Sequence, residues 1–440
     1  MSTRSITWPI PTVWSALVVA LSGLALLAWP GHSWSALLAV QAMVIVVFVA
    51  DAVVCTAPAR IQVSRVAPAT TSVGEHGEIS WTVGNPSRSV ARVTVADALW
   101  PSLHATRRRV TLRLRPGARA RVRTAITPSR RGRFPLDAVT VRVTGPLRLA
   151  SKQSNRSVPG SIRVMPAYPS RDAITRRVAR VLEGARAVRR AGAGAEFDQL
   201  RDYTPDDEFR RVDWAATLRL QRPIVKQYRA ERNQNLVLLL DNGRVMAGTV
   251  GGVPRVEHAM DAALAITQAA SRLDDRVGLV TFDRQVRSIV VPNNGRNQLS
   301  RVAEALYLLE PDLDESAYSA AFSAAAARFR RRSLYVVLTD LAEATVEQAL
   351  LPALPILTRR HVVVVAGVQD PAVAAWARSA HVADATEAYR QAAAIASLSR
   401  RGRAVARLRA AGAVVVDAEP GRLGIELVDT YLALKSSGRL

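Results

Sequence analysis

The chain has 440 residues, enough for two or three domains with sizeable cores. Lys and Arg outnumber Asp and Glu by 60 to 36, a formal charge of +24, but the excess is mostly Arg in an Ala-rich chain and does not by itself specify a nucleic-acid partner. The lone cysteine, Cys55, excludes an intramolecular disulfide and a cysteine-based zinc site, and it fits a reducing compartment.

Two uncharged apolar runs open the chain, Thr12 to Trp29 and Trp34 to Ala50. Each approaches the roughly 17–25 residues that a membrane-crossing helix needs. Trp8, Trp14, Trp29 and Trp34 stand near their ends, where interfacial aromatics belong. A cleaved signal peptide accounts for the first run but not for the second, which follows a Pro-Gly-His-Ser linker at 30–33. Residues 1–56 therefore read as a transmembrane helical hairpin, against the alternative of a buried hairpin in a soluble domain. Arg4 precedes the first span, Arg60 and Arg65 follow the second, and no Lys or Arg lies between them. The positive-inside rule then sets both termini in the cytoplasm, with a basic body beside an anionic leaflet.

Residues 61–168 alternate apolar with polar in short runs: 79–85, 91–99, 108–115, 119–126 and 137–145. Turn signals such as Gly84-Asn85-Pro86 and Pro116-Gly117 separate them, and a small β-sandwich is expected. Between His104 and Arg133 there are eleven arginines and no acidic residue. Arg113 and Arg115 share one strand face, as do Arg119, Arg121 and Arg123. Such faces suit solvent beside lipid headgroups, or a phosphate backbone; the absence of interleaved aromatics for base stacking argues against nucleic acid. Residues 171–190 read as a basic amphipathic helix, and a Gly-Ala joint at 191–195 leads into a dense charged and aromatic block, completing a segment at 171–235.

From 236 to 440, continuous apolar runs alternate with helical patterns, which predicts an α/β fold built on a doubly wound, mostly parallel sheet. Two of its apolar strands end in a carboxylate, Asp241 and Asp340. If these strands are neighbours at the switch point, both carboxylates reach one crevice, where oxygen ligands suit Mg2+, Ca2+ or Mn2+. The alternative is that each aspartate caps the turn or helix that follows. There is no Walker A loop, His-Glu-x-x-His or Gly-x-Ser-x-Gly. Gly248 to Gly252 reads better as a flexible lead into a helix than as a phosphate loop, and His258 and His361 read as structural.

The alternation from Leu236 onward, with Asp241 and Asp340 so placed, resembles a von Willebrand factor A domain. The block formed by Gly194, Glu196, Phe197, Leu200, Arg201, Tyr203, Asp207, Arg210, Arg211, Asp213 and Trp214 resembles the signature of bacterial membrane proteins of domain-of-unknown-function family 58 (DUF58). Asp206 stands where that signature usually has Gly. Arg131 to Phe134 and the closing Tyr431-Leu432-x-Leu434-Lys435 look similar to the family as well.

The resemblance implies a protein of the bacterial inner membrane that partners a MoxR-type AAA+ ATPase. This chain would be a non-enzymatic adaptor or scaffold, and ATP hydrolysis would belong to the partner. Glu196, Arg201, Tyr203, Asp207, Arg210, Arg211, Asp213 and Trp214 form the expected partner-binding surface. The alternative for this block is a structural network, its arginines bonded to its carboxylates with Tyr203 and Trp214 packed beneath. An A-domain adhesion site carries Asp-x-Ser-x-Ser; here Asp241-Asn242-Gly243-Arg244-Val245 lacks both serines, and Ser316 is a poor match for the separate threonine. Asp241 and Asp340 are thus expected as a degenerate metal site, for Mg2+ or Mn2+ if any ion, with an Arg244 salt bridge to either aspartate as the replacement. No other cofactor is expected. The competing functions are a divalent-metal-dependent enzyme using Asp241 and Asp340, and a nucleic-acid-binding membrane protein using the Arg-rich strands.

Overall fold

The computed structural model describes residues 8–27, 34–190, 200–203, 212, 214–226, 234–379 and 384–440. They divide into two compact units, Met1–Met165 and Pro166–Leu440. The apolar helices therefore group with the sandwich, and the segment after residue 170 with the sheet domain.

In the first unit the apolar runs form helices Val13–Leu27 and Trp34–Val54. Gln41 Nε2 donates to Ser22 Oγ across the pair at 3.2 Å. The helix that begins at Trp34 is long and apolar enough to cross a membrane. The other has 15 described residues, about 22 Å at 1.5 Å per residue, against a hydrocarbon core of about 30 Å. Asp51, in the last turn of the longer helix, is buried. Its carboxylate accepts from the backbone N–H groups of Leu147, Leu149 and Ala150 at 2.8, 2.9 and 2.8 Å. This satisfies the charge and fixes the helix end to a β-turn.

That turn belongs to a sandwich of strands β1 (Ile10–Pro11), β2 (Gln62–Val66), β3 (Thr70–Ser72), β4 (Gly77–Gly84), β5 (Ala91–Asp97), β6 (Arg109–Leu114), β7 (Arg119–Ile126), β8 (Gly132–Thr144) and β9 (Ala150–Met165). One sheet runs β1-β9-β8-β5-β6 with β3 on β9, and the other runs β2-β4-β7. All pairings are antiparallel except β3 with β9. Inward residues of both sheets, including Ile79, Trp81, Val93, Val95, Val139 and Val141, share one core. Inside it Asp97 accepts from Trp81 Nε1 at 2.7 Å and pairs with Arg65 at 2.8 Å, so the buried charge is compensated. The alternation of 79–145 located β4 to β8. It could not locate β9, because 151–161 is mostly polar on both faces.

The second unit begins with the helix Arg171–Arg190. Its strands are β10 (Leu200–Asp202), β11 (Ile224–Lys226), β12 (Asn235–Asp241), β13 (Thr249–Val250), β14 (Val253–Pro254), β15 (Arg276–Phe282), β16 (Val286–Asn293), β17 (Ser333–Leu338), β18 (Val362–Val368) and β19 (Val414–Ala418). The main sheet has the order β16-β15-β12-β17-β18-β19. Its four inner pairings are parallel and the edge pair β15–β16 is antiparallel. The molecule is thus mixed α/β, with parallel pairing concentrated in this sheet and antiparallel pairing dominating elsewhere.

The parallel strands are apolar throughout because both faces are covered. Leu236, Leu238 and Leu240 enter a core with residues of helices Arg255–Arg272, Gln298–Leu306 and Leu423–Ser436. Val237 and Leu239 enter a second core with Tyr318, Phe322, Leu350, Leu354 and Leu408. The edge strand β16 instead alternates half-buried with exposed residues and tolerates Pro292. At the opposite end of the sheet from the strand carboxyl termini, Tyr431 and Lys435 both bond the buried carboxylate of Asp275. Tyr431 and Lys435 thus latch the last helix to the start of β15.

Candidate functional site

From β12 the chain passes to β15 and β16 on one side, then crosses to β17 on the other. The carboxyl ends of β12 and β17 therefore flank the switch point, where α/β sheets form their crevice. In register, Leu240 lies beside Leu338, so Asp241 and Thr339 come next to each other just beyond.

Asp241 is fully buried. Oδ1 accepts from the Gly243 N–H at 2.9 Å and from the Ser316 hydroxyl. Oδ2 accepts from Tyr318 OH at 2.5 Å and Thr339 Oγ1 at 2.6 Å, and those two oxygens are 2.8 Å apart. Burial, then the charge of Asp241, pushes the Tyr318 hydroxyl well above its ordinary pKa, so it stays a donor.

The loop before helix Tyr318–Arg328 carries this hydroxyl set into place. Asp312 N donates to Asn242 O at 2.8 Å, Arg244 N to Asp314 O at 2.9 Å, and Ala317 N to Asp283 O at 2.8 Å. Arg287 bridges Asp283 and Asp312 at 2.5 and 2.8 Å, and Arg284 pairs with Asp314 at 3.1 Å. The loop is thereby drawn across the ends of β12 and β15. Gly243 allows the approach, since a Cβ there would run into the Ser316 hydroxyl and come within 2.9 Å of the Asp314 carbonyl.

Asp340 is answered by different groups. Arg401 Nη1 donates to it at 3.0 Å while Nε and Nη2 bind Asp417 at 2.9 and 2.8 Å. Arg255 lies 3.7 Å from the same Asp340 oxygen. Burial opposes the Arg401 charge, but the Asp417 bonds and the charge of Asp340 outweigh it and raise its pKa. Arg244, expected on Asp241 or Asp340, pairs instead with Glu315 at 2.9 Å on the surface. Asp340 is thus paired with Arg401 and Arg255, and the Asp241 carboxylate is held by three hydroxyls and one backbone N–H.

This donor set does not fit a divalent cation. The oxygens of Asp241 already accept four hydrogen bonds, and Asp340 already faces two guanidinium groups. A small cleft of about 150 Å3 lies against the cluster, lined by Arg244, Val245, Ser316, Tyr318, Thr345 and Gln348. It is below the roughly 300–1,000 Å3 of ordinary ligand pockets.

Of the expected partner-binding residues, Glu196, Asp207, Arg210, Arg211 and Asp213 lie outside the described residues. Arg201 sits on β10, which pairs antiparallel with β11, and the Tyr203 N–H donates to Pro223 O at 2.9 Å. Trp214 opens the helix Trp214–Leu220 and is 56% exposed. Gly251 and Gly252, at φ 59° and 78°, make the two-residue turn of the β13–β14 hairpin rather than a phosphate loop. His361 Nδ1 accepts from the Ser333 N–H at 3.3 Å, a structural role as expected. Sequence reasoning missed Tyr318, Thr339, Arg255, Arg401 and Asp417. Only Thr339 carried a signal, its place beside Asp340 at a strand end.

The sequence model of the family described as "Protein of unknown function DUF58" matches residues 199–402. Three curated proteins, one from Mycobacterium bovis and two from strains of Mycobacterium tuberculosis, are 27% identical over 151 residues, 34% of this chain and 48% of theirs; each is described only as uncharacterized. The chain spans about half the length of these relatives. Among solved structures, proximal thread matrix protein 1 of the mussel byssus aligns at 11% identity over 47% of this chain and 46% of that one, with a TM-score of 0.28. An uncharacterized membrane spanning protein from Vibrio fischeri aligns at 16% identity over 46% and 99%, with a TM-score of 0.17.

Proposed function

We propose that this chain is a membrane-anchored adaptor, held by two apolar helices with both termini in the cytoplasm, whose second unit is a von Willebrand factor A-like binding domain. The strand order β16-β15-β12-β17-β18-β19, with one antiparallel edge and a carboxylate ending the first strand, supports the domain reading. The observation that carries the functional reading is the closure of Asp241 by four protein donors. A carboxylate so engaged holds the carboxyl edge of the sheet rigid and presents neither a base nor a ligand to solvent. Binding of a protein surface then suits this edge better than chemistry.

The partner, by the resemblance of residues 194–214, is a MoxR-type AAA+ ATPase. Tyr203 and Trp214, with Glu196, Arg201, Asp207, Arg210, Arg211 and Asp213, form the contact surface in this reading. A photoreactive residue placed at 203 or 214 of the full-length protein, in native membranes that contain such an ATPase, should crosslink to it. Consistent failure at both positions, with crosslinking at surface controls equally empty, would overturn the proposal.

A further inference from the structure

The outer face of the large sandwich sheet bears a cavity of about 620 Å3 whose lining includes Arg92, Arg109, Arg142, Arg148, Thr111 and Trp14, and no acidic residue. Its floor is set by strand register. Arg92 lies opposite Arg113 on β6 and Thr144 on β8, Thr94 lies between Thr111 and Arg142, and Ala96 lies between Arg109 and Thr140. Small and hydroxyl side chains thus separate long basic ones and leave the depression. The threonines are already ordered, Thr94 bonding Thr111 at 2.9 Å. Arg142 is held across the sheet by Gln153 Oε1 at 3.0 and 2.7 Å, a neutral partner that leaves its charge uncompensated.

Two observations favour an anion site over a solvated basic surface. Like charges directly opposite on antiparallel strands are destabilising, and Arg92 faces Arg113 in that relation. An anion in the cavity, which Arg92 lines, would offset that repulsion from the Arg92 side. The wall of the cavity, moreover, is the start of the first apolar helix: Pro11, Thr12, Val13 and Trp14 line it. β1 pairs with β9, and Thr12 N donates to Leu149 O at 3.1 Å, so this helix start is stitched to the sheet beside Arg148. Trp14 is 57% exposed, as an interfacial aromatic is at headgroup depth. A cavity that is basic below and apolar at its rim matches a phosphate with acyl chains attached.

We infer that Arg92, Arg109, Arg142 and Arg148 form a binding site for the phosphate headgroup of an anionic membrane lipid, whose chains run along the helix that starts at Val13. The site rests on the membrane-anchor reading above. It would set the depth and rotation of the sandwich against the bilayer, which a helix pair alone does not fix.

The test uses the full-length protein in a non-ionic detergent, with short-chain phosphatidylglycerol, short-chain phosphatidylcholine and inorganic phosphate as probes. Native mass spectrometry should show retained phosphatidylglycerol, little phosphatidylcholine and no saturable phosphate. The double variant R92Q/R142Q should weaken phosphatidylglycerol binding about thirtyfold, from roughly one surface-lipid interaction per arginine. R121Q/R123Q, with the same charge change on the other sheet, should bind like the parent. Equal loss in both variants would mean diffuse attraction and overturn the site. Equal binding of phosphatidylcholine, or phosphate binding as strong as the lipid's, would overturn the lipid assignment without any variant. Alkaline extraction of membranes reads the anchor separately: release of the chain refutes the anchor itself, whereas retention without lipid preference refutes this site alone.

Discussion

Replacing Asp241 probes the closed cluster most directly. In Asp241→Ala, Tyr318 and Thr339 can bond each other across their 2.8 Å separation, which leaves the Gly243 N–H and the Ser316 hydroxyl without an acceptor. The orphaned, buried Gly243 N–H costs about 1–3 kcal/mol, the half-buried Ser316 hydroxyl less because it lines a cleft, and part of this is offset because a buried charge is removed. A net loss of about 2 kcal/mol, or roughly 4–8 °C in the melting temperature of a unit this size, is expected. Asp241→Asn keeps one oxygen for Gly243 and Ser316 and turns its amide toward Tyr318 and Thr339, whose hydroxyls can rotate to accept. It should lose only about 1 kcal/mol. Thermal unfolding of the full-length protein, followed by fluorescence with and without 1 mM Mg2+ or Mn2+, reads both effects. A cation bound at about 10 μM would add about 2.7 kcal/mol at that concentration. If either ion raises the melting temperature of the parent by several degrees and not that of Asp241→Asn, the carboxylate is a metal ligand and the reasoning fails. It fails equally if Asp241→Ala melts with the parent.

Restoring the adhesion-site pattern with G243S/V245S should lower the melting temperature and give no gain in Mg2+ affinity by calorimetry, because a Cβ at 243 meets the Ser316 hydroxyl. Tyr431→Phe should cost about 1.5–3 kcal/mol by removing a hydrogen bond to a buried carboxylate, and Lys435→Met about 3–5 kcal/mol by leaving Asp275 without its cation; chemical unfolding that ranks them the other way would refute the latch. Burial, with the nearby Arg360 charge, lowers the pKa of His361. A depressed folded-state value means its contribution is complete above about pH 6.5 and is lost as pH falls below that. His361→Gln, whose amide oxygen can take the Ser333 N–H, should flatten the melting profile below about pH 6.5.

What the sequence revealed here follows the range of the interactions involved. Continuous apolar runs located β12, β15, β17 and β18, and they put Asp241 and Asp340 at strand ends, because burial on both faces leaves no other pattern. The partners of Asp241 lie 75, 77 and 98 residues away, and Arg401 lies 61 residues from Asp340. No periodicity encodes contacts of that span. Arg244 was placed on the aspartates because it is their neighbour in sequence, but its helix start faces the loop, where Glu315 takes it. The antiparallel sense of β16 was likewise invisible, although its alternation and Pro292 mark an edge strand. The reading of 196–213 as a contact surface stays a matter of motif, since most of it lies outside the described residues.

One device recurs through both units. Asp51, Asp97, Asp241, Asp261, Asp275, Asp283 and Asp340 are buried, and with them Arg131 and His361 among the described residues. Asp51 accepts from a turn, Asp97 from Trp81 and Arg65, Asp241 from hydroxyls, Asp275 from Tyr431 and Lys435, and Asp340 from Arg401. The chain has only 36 acidic residues, and this internal use draws Arg65, Arg401 and Lys435 inward as the partners of three of them. Surface cations attract an anionic leaflet within a Debye length, so in the proposed membrane-anchored arrangement the exposed arginines of the sandwich would draw it toward the bilayer. Exposed charge alone would give adhesion without orientation; in the proposed site the grouping of Arg92, Arg109, Arg142 and Arg148 beside the first helix would supply a fixed geometry.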